Sequence, residues 1–274
     1  MFGKIVDRMT PWLHRNAINK ALNKVAIIKH FGKASTSSVT VWRGNSLFDG
    51  KPIRVVLSGH IVDSSNIKTG EMVQVYILPD EADSFDEYMA KSPTVCGDCK
   101  YLGGGCYVAW NRTRRIQASS KQLLANLELG ATICTGLRIR VGAAGDPASV
   151  PFYVWDTLLR HADDWTGYTH AWKYCDPRLK EYFVASCDSY EETMLAKSRA
   201  WSVFYVHDDG DRVPDDSIEC LSTKSVPCVQ CLKCKGGGTT TRVITEKLHG
   251  ASNTKHYAKK QRKQASKAQN KINQ

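Results

Sequence analysis

Leu137-Arg138-Ile139-Arg140-Val141-Gly142-Ala143-Ala144-Gly145-Asp146-Pro147 reads as a β-strand over 137–141 that runs into a glycine-rich turn. Residues 151–162 then carry a helical pattern. The same alternation continues with a strand over 166–170, a short helix over 177–182, a strand over 183–187, a helix over 190–200 and a strand over 201–206. Strands alternating with helices at these lengths predict parallel β/α units with right-handed crossovers, an α/β fold arranged as a partial TIM-like barrel or an open sheet.

Upstream, residues 39–42 and 53–58 are β-branched runs joined by a turn-rich 43–51, which predicts a hairpin, and 72–78 predicts a further strand. The acidic stretch 80–87 reads as a solvated loop entering a short helix, and 117–129 as one helix. At the N-terminus, Trp12, Leu13, Ala17, Ile18, Ala21, Leu22, Val25, Ile28 and Phe31 recur at spacings of three and four, with Thr10 and Pro11 suited to a cap and first turn. These residues predict an amphipathic helix within 1–35. Packing against its own domain is the first expectation; a membrane surface or a partner is the alternative. The β-hairpin, the β/α units and two cysteine-rich loops make up 36–250, and 251–274 is a separate basic tail.

The chain has 274 residues and a net charge of +11, and seven Lys or Arg with no acid fall within 251–274. Such a tail cannot bury a core, so disorder or folding on contact is expected. Lys255, Lys259, Lys260, Arg262 and Lys263 are candidates to bind nucleic-acid phosphates; a solubilising tail is the plainer reading. Charges interrupt residues 1–33, leaving neither a signal-peptide core nor an apolar run of bilayer length. A reducing cytoplasm is therefore expected for the ten cysteines, with the clustered ones bound to metal.

Cys96, Cys99 and Cys106 are spaced C-x2-C-x6-C around a glycine-rich loop. Cys220, Cys228, Cys231 and Cys234 follow as C-x7-C-x2-C-x2-C. Zinc sites usually take ligands as two separated pairs. The uninterrupted run at 228, 231 and 234 is instead the pattern that wraps a cubane cluster, with Cys220 as the fourth thiolate, which favours [4Fe-4S] over zinc. The first set lacks a fourth thiol in its loop. Cys134, Cys175, Cys187 or a histidine could complete it, or one corner could stay open to a small molecule.

Parallel β/α sheets place their sites at the carboxyl ends of strands. Those ends carry Asp146, His170 and Asp188, which become the candidate catalytic residues, although Asp146 and Asp188 could equally be helix caps. No HExxH, nucleophile-elbow, Walker or G-x-G-x-x-G motif is present, which argues against hydrolytic and nucleotide-driven chemistry.

Taken together, Cys96-Gly97-Asp98-Cys99, Gly105-Cys106-Tyr107-Val108, the segment from Arg140 to Pro147, Trp165-Thr166-Gly167-Tyr168-Thr169-His170, Ala185-Ser186-Cys187-Asp188-Ser189 and the closing cysteine run resemble a protein family encoded mainly by bacteriophages and bacterial mobile elements. The resemblance implies a setting in the cytoplasm of a bacterial host. The chain is also remotely similar to the radical S-adenosylmethionine barrel. That similarity implies a cluster on Cys96, Cys99 and Cys106, a cofactor-binding turn at Gly142, Gly145 and Asp146, and an auxiliary cluster on Cys220, Cys228, Cys231 and Cys234, in an enzyme modifying a nucleic acid or a host molecule. The loop spacing, and Asp146 where that family carries glutamate, depart from its pattern. The other hypothesis is a non-enzymatic zinc protein that binds nucleic acid through its tail.

Overall fold

The β-branched runs pair as the hairpin pattern requires. A computed structural model describes residues 2–31, 38–61, 66–102, 106, 108–120, 125–238 and 241–248. β1 (Ser38–Asn45) and β2 (Pro52–Ser58) are antiparallel, as are β2 and β3 (Val73–Pro79). β4 (Arg138–Ala144) joins β3 in parallel and β5 (Asp164–Thr166) joins β4 in parallel, so the first sheet is mixed and runs β1-β2-β3-β4-β5.

Gly167 alone separates β5 from β6 (Tyr168–Thr169), the first strand of a second sheet. A Cβ on Gly167 would lie 2.8 Å from the Phe183 ring, so only glycine lets the chain pass this close as it changes sheet. β7 (Val184–Cys187), β8 (Val203–His207), β9 (Ile218–Glu219) and β10 (Val243–Lys247) complete that sheet in the order β6-β7-β8-β10-β9, parallel throughout. The protein is thus mixed α/β. Among the described residues no ladder joins the outer strands β1 and β9 into a closed barrel.

Helices α2 (Phe85–Ala90), α3 (Pro93–Cys96), α4 (Trp110–Ser119), α5 (Leu127–Cys134), α6 (Phe152–Leu159), α7 (Tyr190–Ser198) and α8 (Cys228–Cys231) occupy the connections. The helix expected over 117–129 is in fact two. Asn126 adopts an extended backbone and its side chain accepts the Leu129 N–H, capping α5 and separating it from α4. Ile53, Val55, Leu57, Val75, Ile77, Val141, Trp155 and Phe183 belong to the main core, which α5 and α6 help to cover.

The N-terminal helix forms as α1 (Phe2–Phe31), but with its faces reversed. Asn16, Lys20 and Asn23 are buried beside Trp12 and Ile27, whereas Leu13, Ile18, Leu22, Val25 and Ile28 face outward. Specific hydrogen bonds explain the reversal. Asn19 Nδ2 donates to the Gly136 carbonyl and Asn23 Nδ2 to the Ile133 carbonyl, satisfying acceptors at and just beyond the end of α5, while Asn16 Nδ2 donates to Glu71 Oε2.

Under this helix His60 is wholly buried with neither ring nitrogen hydrogen-bonded among the described residues, and its carbonyl accepts from Asn23. Burial, with the Lys20 cation adding to it, lowers the His60 pKa from 6.5 to about 4. Between those values the unfolded chain binds a proton that the native state refuses, so stability falls as pH drops through this window, by roughly 3 kcal/mol at its end. Urea unfolding followed from pH 7 to pH 4 is expected to show that loss, and His60→Leu to flatten it; an unchanged slope in the variant would rule out His60 as its source.

Candidate metal centres at two cysteine sets

The first set is assembled where α3 meets the turn after β4. α3 ends at Gly97, whose φ of 58° turns the chain back toward Cys99. The Asp146 N–H donates to the Val95 carbonyl at 2.7 Å, and the Gly145 N–H donates to the Cys96 sulfur. Gly142 and Gly145, the residues expected to shape a cofactor turn, both have positive φ, 75° and 77°.

Cys99 accepts the N–H of Tyr101, and Cys106 accepts that of Val108 at 3.5 Å, in each case from two residues further on. The Cys96 thiol feels the charges of both Cys99 and Cys106. Burial raises all three pKa values, that of Cys99 to about 11. As free thiols they are protonated at neutral pH; a bound cation would be needed to hold them as thiolates.

The three candidate catalytic residues converge on this centre from the ends of β4, β6 and β7. Asp146 is buried and accepts from Thr169 Oγ1 at 2.6 Å, the His170 N–H at 2.8 Å and the Ala148 N–H at 2.9 Å. Desolvation raises its pKa despite these donors, and its charge is felt at Cys96 and Cys99. His170 Nε2 lies 3.1 Å from Ser186 Oγ, and the Tyr101 ring meets His170 edge-on. Asp188 pairs with Lys100 at 3.1 Å, and its Oδ1 is buried with no hydrogen-bond partner among the described residues. That orphaned acceptor, on a carboxylate whose charge is felt at Cys99, suits a donor that the described residues do not supply.

Thr169, Ser186, Tyr101 and Lys100 were not anticipated. Period-two alternation could have found Ser186, because Cys187 points into the main core and its neighbour must face the other way. Of the possible fourth ligands, Cys134 and Cys187 are buried in that core, whereas Cys175 feels the charge of Asp146.

The second set occupies a different place. Cys220, Cys228, Cys231 and Cys234 line one cavity with Thr166 and Ile244, and Cys220 and Cys234 pack against the small cluster of Val184, Phe204 and Ile244. The Cys234 thiol feels the charges of the other three. Cys231 accepts the N–H of Lys233, again two residues on, and Cys220 Sγ lies 3.2 Å from Ser222 Oγ.

Leu232 holds a left-handed φ of 54° between Cys231 and Cys234, a conformation that costs a non-glycine residue about 1 kcal/mol or more. Arg140 lies over the Tyr168 ring and donates to its hydroxyl at 2.6 Å, and its charge lowers the pKa values of Cys228 and Cys234 against the upward push of burial.

All ten cysteines are free thiols. Among the described residues no group of three or more His, Cys, Asp or Glu side chains is placed to hold a metal ion. The donor chemistry still suits a thiolate-bound metal group, because four half-buried thiols share one cavity and backbone N–H groups are directed at sulfur. Lys255, Lys259, Lys260, Arg262 and Lys263, the candidate nucleic-acid contacts, lie outside the described residues. Compared with protein-family models, curated proteins and solved structures, the chain matches none.

Proposed function

We propose that this chain is an iron-sulfur protein of phage or mobile-element type, with one cluster on Cys96, Cys99 and Cys106 and another on Cys220, Cys228, Cys231 and Cys234. The observation that carries the proposal is the repeated N–H···S bond. Cys99, Cys106 and Cys231 each accept from the residue two further on, and Cys96 accepts from Gly145 across the fold. A neutral thiol is a weak acceptor that gains little from such dipoles; a thiolate on a metal gains much, and hydrogen bonds to sulfur are a main control on cluster potential.

At the first centre, three thiols, the orphaned Asp188 Oδ1 and the His170–Ser186 pair support a site that admits a small molecule, as in a radical S-adenosylmethionine-like enzyme with a partial-barrel core. A cluster bound there would supply one-electron chemistry. Asp146 would order the rim by fixing Thr169 and the His170 backbone, and Asp188 would accept a hydrogen bond from a donor on the ligand.

Protein purified without oxygen is expected to be brown and to contain iron and acid-labile sulfide in equal amounts, about four or about eight of each per chain. Zinc without sulfide would overturn the proposal and leave a zinc protein whose basic tail becomes the functional element.

A further inference from the structure

We infer that α1 is a peripheral membrane anchor that lays its outward face on an anionic lipid surface. The inference is independent of the cysteine chemistry. It starts from the reversal of the helix: α1 is held to the domain by Asn16, Asn19 and Asn23, so its apolar face is left pointing away from the protein. Ile18, Leu22 and Val25 are 60%, 60% and 63% exposed, with Leu13 and Ile28 also exposed above and below them. Ala17 and Ala21 complete the same side, so the stripe continues over about four turns of helix.

Charge identifies what covers it. α1 carries six Lys or Arg against one acid, Asp7. On a helical projection Lys24 falls near one edge of the stripe and Arg15 at the other, with Lys29 between Ile18 and Leu22 close to that second edge and His14 beside Val25; all four are exposed, and Arg15 also lies 3.7 Å from Asp163. An apolar stripe bordered by cations is the form that sits at the headgroup boundary of acidic lipids. The tail 251–274 is basic and is repelled from this face, and a second copy would set cations against cations. Crossing the bilayer is excluded for the helix, since no helix among the described residues is long and apolar enough to do so.

Flotation of the full-length protein with vesicles tests the inference. The protein is expected to float with phosphatidylcholine–phosphatidylglycerol vesicles, to remain behind with pure phosphatidylcholine, and to lose binding as salt is raised. Leu22→Asp with Val25→Asp, both at exposed positions, is expected to weaken binding by at least about tenfold without changing the circular dichroism spectrum. Lys24→Glu with Lys29→Glu should remove the preference for anionic lipid. Full binding by the Leu22/Val25 variant would assign the contact to the basic tail and overturn the inference. So would failure to float combined with a dimer, seen by sedimentation, that the same two substitutions dissociate.

Discussion

Cys234→Ser is expected to empty the second centre, removing about half of the iron and sulfide from a protein with two cubane clusters while the first centre keeps its share. Cys234 is the thiol most enclosed by its partners, feeling Cys228, Cys220 and Cys231 at once, and its carbonyl accepts the Gly167 N–H where the chain passes from one sheet to the other. Around it the chain has little regular structure of its own: β9 has two residues and α8 four. Such a segment relies on its staple. Cys220 N–H to Thr245, Cys228 N–H to Lys68 and Val229 N–H to Thr69 tie it to the body, and the interior between those ties is lined by four sulfurs among a few aliphatic side chains. Loss of metal should therefore loosen residues 219–235 as well, increasing hydrogen exchange there while β2 and β3 stay protected. Metal and sulfide analysis beside Cys99→Ser provides the control, because that variant should lose the other half. If Cys234→Ser retained all its iron, or if either single substitution removed everything, two separate clusters would be ruled out.

What could be read from the sequence, and what could not, divides along physical lines. The hairpin, β3 and the β/α alternation announced themselves because period-two and period-three-to-four patterns are local and each strand is short enough to keep one pattern. β10 was missed because its five residues follow a run of glycines and threonines, and its place between β8 and β9 is set by pairing across long sequence separations. The start of a new helix at Asn126 was missed because an apolar pattern runs across it, and only the cap marks it in the sequence. α1 is the most instructive case. Its periodicity correctly predicted a helix, but burial of the apolar face was the wrong inference, since three asparagines, two placed opposite backbone carbonyls and one opposite the Glu71 carboxylate, decide which side faces in. Spacing grouped the seven thiols into the two sets described above, and the strand ends picked out Asp146, His170 and Asp188, which the fold carries at the ends of β4, β6 and β7. Arg140 beside the second set went unnoticed, although a guanidinium inside a strand is costly to bury and should have suggested an anion nearby.

Gly145→Ala is expected to be among the most damaging single-methyl changes at the described glycines, costing roughly 3–5 kcal/mol and lowering the melting temperature by on the order of 10 °C. Two separate penalties add there. The residue sits at φ +77°, which alanine adopts only with strain, and its Cβ would lie 2.5 Å from the Ile77 carbonyl oxygen and 2.8 Å from the Ile77 Cβ, both on a fully buried strand that cannot give way. Gly50→Ala separates the two, because Gly50 has nearly the same φ, +73°, with nothing within 4 Å of its added carbon; it should cost only about 1 kcal/mol. The turn that must move to relieve the overlap also carries the Asp146 N–H bonded to Val95 and the Gly145 N–H bonded to the Cys96 sulfur. Iron at the first centre should therefore fall in Gly145→Ala well below the temperature at which the chain unfolds, while the second centre stays filled. Equal losses of stability in the two alanine variants would show that backbone conformation alone governs the position. A full complement of iron in a destabilised Gly145→Ala would show that the turn does not support Cys96.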